Sequence, residues 1–375
     1  MTSAAVPAVA VAPIVVADGD GWLPRWRAGH VRGALVVLCA ALLCARRIPA
    51  AVQPSLAVQV AALVVAVAVF GVPHGALDAL VGRRWLAPQL GRRWWAPFYI
   101  GYVLLAAVVV AGWVYVPVVT LAAFLAASAV HFGLGDVDPP GARSGLAWAE
   151  ILVRGAAPIA VPSLAHADAV RQAFGWVAPG ASMPALAVIV AGCAWCARWL
   201  VLPGCALFAG AHLRAAAGDG AWHADATATA RAVAHRSAAV ECLVVPAVAA
   251  VLPPLLAFLV YFCLLHSARH ALELAAVLDP RRPGRAWTCF VGAALPATAA
   301  TLALASAAWV GLSRTSRPHT GAAVAVQVLF AGLAALTAPH MLLTAMAGEL
   351  GRRPAASSGR AQSRGGRRRG RAWYA

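Results

Sequence analysis

The sequence contains no lysine and very few acidic residues. All 30 basic side chains are arginines, only 13 of the 375 residues are Asp or Glu, and charged residues make up 11% of the chain. A soluble domain carries roughly twice that share of charge, which excludes an ordinary water-soluble fold. The chain is instead 62% hydrophobic, with a mean hydropathy of +0.77. These values predict an all-α, polytopic bundle of about 8–10 transmembrane helices in a cell membrane.

Paired cysteines are also nearly absent. The eight cysteines are scattered, and Cys193 and Cys196 are the one pair with the spacing of a metal or redox motif. Because no second pair accompanies them and the stretch is apolar, neither a zinc site nor a redox motif is predicted there.

The net charge of +17 does not indicate a nucleic-acid partner, because of where the arginines lie. Residues 351–375 hold eight arginines and no acid. We expect residues 349–375 to form a disordered, Arg-rich cytoplasmic tail that lies on anionic lipid headgroups. Residues 1–30 are predicted to be a loose Ala/Pro-rich leader, and residues 31–348 the transmembrane catalytic domain.

Ten apolar segments are candidates for membrane spans by length and hydropathy. They are 33–48, 55–80, 97–116, 117–134, 145–165, 184–202, 231–250, 253–278, 286–312 and 321–347. With a cytoplasmic N-terminus, most of the arginines between them fall in cytoplasmic loops, although Arg46 and Arg47 do not. Both termini are therefore predicted to be cytoplasmic, and residues 203–217 are predicted to be a re-entrant segment.

Four of the apolar runs end in histidines, namely His74, His131, the pair His266 and His270, and His340. Residues four apart share one face of a helix, so the pair could reach a single metal ion. An isolated pair could equally be two structural histidines. The predicted topology, however, places all five at similar depth, and polar groups inside a membrane are usually functional. The pattern predicts one buried polyhistidine centre.

Three acidic residues are expected to support these histidines. Asp78 lies four residues after His74 and could accept its second imidazole N–H, with a helix cap as the alternative. Glu150 and Glu241 fall within predicted spans and are expected to face the bundle interior. There they would hydrogen-bond the ligating histidines and offset the charge of a metal dication.

The other polar residues receive simpler predicted roles. Asp136 is expected to be a loop or cap residue, and Glu273 an interfacial residue near Arg269. The remaining histidines are predicted to be solvated: His30, His166, His212, His223, His235 and His319.

Six short motifs occur in one order along the membrane domain. They are Pro73-His-Gly-Ala-Leu-Asp78, His131-Phe-Gly133, Glu150-Ile-Leu-Val-Arg-Gly155, Pro253-Pro-Leu-Leu-Ala-Phe-Leu-Val-Tyr-Phe262, His266-Ser-Ala-Arg-His270 and Pro339-His-Met341. Together they resemble the Brp/Blh family of bacterial and archaeal integral-membrane β-carotene 15,15′-dioxygenases. The resemblance implies central cleavage of β-carotene by dioxygen into two all-trans-retinal molecules, at a non-haem Fe(II).

The resemblance also implies four iron ligands, which fall on His74, His131, His266 and His270. Spacing alone does not specify iron, because imidazoles also bind zinc and copper. Since these four exclude His340, that residue is predicted to line the cavity or to hydrogen-bond a buried Glu. Bulky aromatic residues are expected to line an apolar tunnel for the polyene: Phe132, Phe258, Tyr261 and Phe262.

Two other functions remain open at this stage. One is a di-iron membrane desaturase or hydroxylase, although such enzymes need several closely spaced His boxes and this chain has one. The other is a membrane transporter or a rhodopsin-assembly protein that uses histidines for proton or metal transfer. The partners expected for the dioxygenase are β-carotene, dioxygen and membrane lipid, with a retinal-binding rhodopsin as a possible user of the product.

Overall fold

A computed structural model describes residues 22–47, 54–137, 145–222, 226–315 and 321–350. Over these residues the chain is helical and contains no strand. The α-helices are α1 (Leu23–Arg47), α2 (Leu56–Ala66), α3 (Val72–Gly75), α4 (Asp78–Leu90), α5 (Trp95–Tyr115), α6 (Pro117–Asp136), α7 (Gly145–Ala165), α8 (Ala167–Val177), α9 (Met183–Cys196), α10 (Leu202–Trp222), α11 (Ala226–Val251), α12 (Pro254–Leu259), α13 (Ala268–Leu278), α14 (Pro283–Thr315) and α15 (Gly321–Leu350). Three π-helical segments join consecutive helices: Val67–Gly71, Ala197–Val201 and Val260–Ser267.

The predicted all-α membrane bundle is confirmed. Each of the ten predicted segments is mainly helical where the structure describes it, with a break at residues 76–77 in the segment 55–80. In the described chain, eight helical stretches are long and apolar enough to cross a membrane: Leu23–Ala45, Trp95–Tyr115, Pro117–Asp136, Met183–Gly218, Ala228–Val251, Pro254–Leu278, Pro283–Thr315 and Gly321–Thr344. The stretch Leu56–Gly71 is apolar but shorter, and α7 is not among the eight. The outer faces suit lipid, since Val103, Leu104 and Val108 of α5 are all more than 60% exposed.

The first helix begins earlier than the sequence indicated. Residues 23–30 were expected to belong to a loose leader, yet α1 starts at Leu23. Two side chains attach this end to the bundle: the Trp22 indole N–H donates to the Asp279 carbonyl oxygen at 3.0 Å, and His30 Nε2 lies 2.8 Å from the Leu264 carbonyl oxygen. The expectations for residues 1–21 and 351–375 lie outside the described residues.

The expected re-entrant segment at residues 203–217 is wrong. Helix α9 continues through the π segment Ala197–Val201 into α10, so one helical stretch runs from Met183 to Gly218. A π segment widens a helix by one residue without ending it, which explains why Pro203 does not break the helix here. Two further helices, α4 and α8, occupy stretches that the sequence placed in loops.

Glycines bring α6 and α7 into close contact. A Cβ atom on Gly133 would overlap the carbonyl oxygen of Ile151, and one on Gly155 would overlap that of Ala129. Small residues allow membrane helices to approach backbone to backbone. This contact places His131 of α6 and Arg154 of α7 on neighbouring helices inside the bundle.

The helix that carries His74 is interrupted immediately after it. Helix α3 ends at Gly75, and α4 begins at Asp78 with Leu77 as its N-cap. His74 and Asp78 therefore belong to different helices, and the single helical face on which their predicted pairing depended does not exist. The His74 side chain lies outside the described part of the structure.

Candidate metal centre

Four imidazoles from four different segments of the chain lie together in the bundle, and we call them the histidine cluster. They are His131 of α6, His266 of the third π segment, His270 of α13 and His340 of α15. The ring centroid of His131 lies 5.0 Å from that of His266, 6.0 Å from that of His270 and 5.3 Å from that of His340. The centroids of His266 and His270 are 4.8 Å apart. The predicted convergence of these histidines is therefore present, and the cluster is buried.

The backbone around His74 borders the same space. Gly75 and Ala76 line the cavity that His131 and His340 also line. The position of α3 is thus compatible with the predicted role of His74, which stays a prediction because its side chain is not described.

Asp136 is a member of the site and does not belong to a loop. Helix α6 continues to this residue, whose carboxylate is buried. Its Oδ1 lies 3.2 Å from His266 Nδ1, and its Oδ2 accepts a hydrogen bond from the Tyr261 hydroxyl at 2.6 Å. The Arg269 guanidinium donates to the Asp136 carbonyl oxygen and to Oδ1, at 3.0 and 3.3 Å. This role was not predicted, because Gly133-Leu-Gly-Asp136 has the pattern of a helix end.

Asp78 supports a histidine, but the described partner is His340. Its Oδ1 lies 2.7 Å from His340 Nδ1, and its Oδ2 accepts a hydrogen bond from the Tyr102 hydroxyl at 3.1 Å. The same hydroxyl lies 3.3 Å from the Leu336 carbonyl oxygen of α15. His340 lines the cavity as predicted, and its carboxylate partner is an Asp and not the expected Glu.

Neither buried glutamate hydrogen-bonds to a histidine of the cluster in the described contacts, which corrects that expectation. Glu241 pairs with two buried guanidinium groups, those of Arg154 and of Arg269, the latter at 2.7 Å. Arg154 also donates to Glu150 at 3.2 Å. An unpaired charge inside a membrane is costly, and these arginines are the partners of the two glutamates, which were expected to offset the charge of a metal ion. Through Arg269, the ion pairs connect to Asp136 and so to His266.

A second histidine pair lies beyond Glu150. His212 Nε2 is 2.9 Å from Glu150 Oε1, and His212 Nδ1 is 2.9 Å from His235 Nδ1. The prediction that these two histidines are solvated is therefore wrong, as it is for His30. Glu273 pairs with Arg27 at 3.6 Å. His223 and His319 lie outside the described residues.

Two histidines of the cluster line an apolar cavity. His131 and His340 line it together with Asp78, Tyr102 and Ser128, and the remaining lining is mainly aromatic and aliphatic. Seven phenylalanines contribute: Phe98, Phe124, Phe132, Phe174, Phe258, Phe262 and Phe330. Tyr261 does not line this cavity, contrary to expectation, because its hydroxyl points to Asp136.

The donor chemistry of the cluster fits a divalent metal ion. Two imidazoles direct Nδ1 to carboxylates, which leaves Nε2 as the donor atom, and this pairing is typical of metal-ligating histidines. His266 Nε2 lies 3.3 Å from His131 Nε2. Among the described side chains, no group of three or more His, Cys, Asp or Glu is arranged so that it could hold a metal ion as it stands; His74, the fourth predicted ligand, is not among those side chains.

Charge supports the same assignment. The described network contains four carboxylates and two guanidinium groups, an excess of two negative charges when the imidazoles are neutral; Asp78 contacts His340 and not a guanidinium group. The carboxylates are those of Asp78, Asp136, Glu150 and Glu241, and the guanidinium groups are those of Arg154 and Arg269. Buried charge requires compensation, and a dication bound at the cluster would supply it.

Helices long and apolar enough to cross a membrane, which enclose a histidine cluster at the wall of an apolar cavity, define an integral-membrane protein with buried imidazoles beside that cavity. The profile of the family described as β-carotene 15,15′-dioxygenase matches residues 65–347. The chain belongs to this family, as the ordered motifs predicted.

Two curated relatives agree with the family. The chain is 31% identical over 305 residues to the probable β-carotene 15,15′-dioxygenase Blh of Halobacterium salinarum, covering 75% of this chain and 82% of the relative. It is 27% identical over 273 residues to the β-carotene 15,15′-dioxygenase of an uncultured marine bacterium, covering 73% and 88% of the two chains. No solved structure is similar enough to count as a match.

Proposed function

We propose that this protein cleaves β-carotene at its central 15,15′ double bond with dioxygen and releases two molecules of all-trans-retinal. The observation that carries the proposal is the placement of the histidine cluster at the wall of an apolar cavity, in a chain of this family. Both relatives are named for this reaction. The di-iron and transporter alternatives have no comparable support.

The cavity would bind the polyene through its apolar walls. Carotenoids offer no hydrogen-bonding groups along the polyene, so binding from the lipid phase depends on shape and on van der Waals contact with the cavity lining. Phe258 and Phe262 stack with their ring planes 9° apart, and Phe258 also contacts Phe330. These rings form flat walls on which an extended conjugated chain can lie, and they keep water from the reacting carbons.

The proposed cofactor is Fe(II), held by His74, His131, His266 and His270. When bound, iron supplies the activation of dioxygen, which side chains alone cannot provide. The protein residues around it act by position. Asp136 holds the His266 ring through Nδ1, and Arg269 and Tyr261 fix Asp136 in turn.

No proton donor is needed for the net reaction. One oxygen atom from dioxygen is added to each carbon of the broken double bond, so two aldehydes form without gain or loss of protons. The ion pairs of Arg154 and Arg269 are therefore assigned to charge balance and rigidity, and not to proton supply.

Expression in a bacterium that accumulates β-carotene tests the proposal. We expect the wild-type protein to bleach the orange colour and to yield retinal on chromatography. A His266→Ala variant should leave the colour unchanged, while a lipid-facing control, Leu304→Ala, should bleach like the wild type because Leu304 is 73% exposed. Longer apocarotenals as the main product would show that the central bond is not the site of cleavage.

A further inference from the structure

The apolar cavity follows two helices that each carry a histidine of the cluster. On α6 the lining residues recur on one helical face from Leu121 to His131, and on α15 they recur from Phe330 to His340. Each stretch covers ten residues, or about 15 Å at the rise of an α-helix. The histidine is the last lining residue on both helices. The cavity therefore reaches about 15 Å away from the two histidines along these helices.

Helix α8 lies at the end of the cavity that is far from the histidines. The paired close contacts at Gly133 and Gly155 show that α6 and α7 are antiparallel, so α7 ends beside the start of α6. Helix α8 follows α7 directly. The turn after α8 returns to the start of α6, because a Cβ atom added at Gly180 would lie 3.3 Å from Pro117 Cγ. Helix α8 also packs against α15.

One face of α8 lines the cavity, and the other face is exposed. The lining residues have the spacing of a single helical face: Val170, Ala173, Phe174 and Val177. Val170 and Val177 are buried, whereas Asp168 and Gln172 are exposed. Helix α8 is therefore an apolar end wall of the cavity, and its polar side faces away from the cavity.

We propose that α8 is the wall on which one ring-ended half of the carotenoid comes to rest, and that Ala173 and Phe174 determine which double bond reaches the histidine cluster. This inference rests on the proposed function. A polyene has no polar group along its length that could fix its position in an apolar channel, so contact of its end group with a wall must do so. A wall at a set distance from the cluster selects one bond.

Two opposite changes of the end wall test the assignment. Ala173→Leu adds volume to the wall and shortens the cavity, whereas Phe174→Ala removes a ring and lengthens it. Phe174→Leu is a milder version of the second change and keeps an apolar side chain. The matched control for the first is Ala169→Leu, the same substitution at an exposed position of α8 outside the cavity lining. The control for the second is Gln172→Ala, on the exposed side of the same helix.

Two substrates report on the length of the cavity. One is β-carotene, and the other is an acyclic carotene with the same number of carbons, whose ends are longer because they are not closed into rings. Ala173→Leu should lower kcat/KM for β-carotene about tenfold or more, the usual effect of a few carbon atoms in an apolar pocket. Ala169→Leu should match the wild type.

The lengthened cavity should change selectivity. In Phe174→Ala we expect the ratio of kcat/KM for the acyclic carotene to that for β-carotene to rise about tenfold. Unequal apocarotenals, from cleavage beside the central bond, should appear among its β-carotene products. Phe174→Leu should change both readouts in the same direction by less, and Gln172→Ala should change neither. Thermal stability and iron content show that each variant is folded and loaded.

The outcomes distinguish this inference from the proposed function. A wild-type protein that yields no retinal from β-carotene contradicts the proposed function itself. If the wild type is active but Ala173→Leu matches Ala169→Leu, α8 does not limit where the substrate rests. Phe174 variants that lose activity with unchanged products and an unchanged substrate ratio would also overturn the inference, because Phe174 would then only stabilise the fold.

Discussion

At the residue scale, the site consists of imidazoles that are oriented by carboxylates. His266 is held by Asp136 and His340 by Asp78, each through Nδ1. A carboxylate in this position fixes the tautomer and raises the basicity of the other ring nitrogen. Each carboxylate also accepts a hydrogen bond from a tyrosine hydroxyl: Asp136 from Tyr261 and Asp78 from Tyr102. His266 and His340 therefore have the same kind of support.

Asp136→Asn should lower activity and iron occupancy while preserving side-chain size. The amide cannot accept from His266, Tyr261 and Arg269 as the carboxylate does, and replacement of such partners typically costs about 10- to 100-fold. Retinal formation and iron per chain measure the effect. Asp168→Asn is the control, because Asp168 is an exposed residue paired with Arg171. Wild-type activity in Asp136→Asn would reduce this residue to a structural role.

Asp78 and His340 should act as one unit. In the variants Asp78→Asn, His340→Ala and the double substitution, we expect a coupling free energy of about 0.5 kcal/mol or more in a double-mutant cycle on kcat/KM. Additive effects would show that the 2.7 Å contact between His340 and Asp78 does not contribute to catalysis.

Metal content separates His340 from the four predicted ligands. His340→Ala should retain about one iron per chain with reduced turnover, since the family resemblance assigns the ligands to His74, His131, His266 and His270. Each of those four changed to Ala should lose iron and nearly all activity. If His340→Ala lacks iron while one of the other four His→Ala variants retains it, His340 is a ligand.

The sequence predicted the histidines better than their partners, for a physical reason. The two-histidine motif is local, so helical spacing brings His266 and His270 together. Asp136 reaches His266 across 130 residues of sequence and Asp78 reaches His340 across 262, and periodicity carries no information about such contacts. The helix break after Gly75 was also not predicted, so the helical spacing assumed between His74 and Asp78 does not apply, and their pairing stays a prediction.

At the element scale, the third π segment and α6 determine where the histidine pair lies. The segment Val260–Ser267 contains His266 and ends just before α13, which carries His270. π segments are often found at functional sites because they reorient side chains within a continuous helix. Gly135 of α6 faces this pair directly, since an added Cβ would overlap the His270 ring and come within 2.9 Å of His266 Cε1.

Gly135→Ala should therefore damage the site while leaving the bundle intact. The methyl group must displace His270 or His266, and a misplacement of about 1 Å can lower a rate by roughly 100-fold. Gly101→Ala on α5 is the matched control, because nothing lies within 4 Å of its added Cβ. Retinal formation by the two purified variants tests this prediction, and their thermal stability is measured in parallel. Equal activity would show that α6 does not position the histidine pair.

At the scale of the whole molecule, the bundle places buried charge next to an apolar cavity. Ion pairs of Arg154 and Arg269 lie on one side of the histidine cluster, and the phenylalanine-lined cavity lies on the other. Composition alone predicted the membrane bundle, because hydrophobic content and length decide it. It could not predict that α9 and α10 are continuous, since the intervening π segment has no clear sequence pattern.

Orientation in the membrane is the remaining prediction at this scale. The distribution of arginines along the sequence predicts that both termini are cytoplasmic. A reporter fused after Ala375 should be active only as a cytoplasmic reporter, and one inserted near Arg317 only as an external one. If both report the same side, the predicted span order is wrong, and the common depth of the histidines needs another cause.

The product ratio of the purified, iron-loaded protein tests the central claim most directly. With β-carotene and dioxygen, two molecules of all-trans-retinal should form for each β-carotene consumed, because the proposed reaction breaks the double bond at the midpoint of the chain. A pair of unequal apocarotenals, or consumption of β-carotene without retinal, would contradict the account.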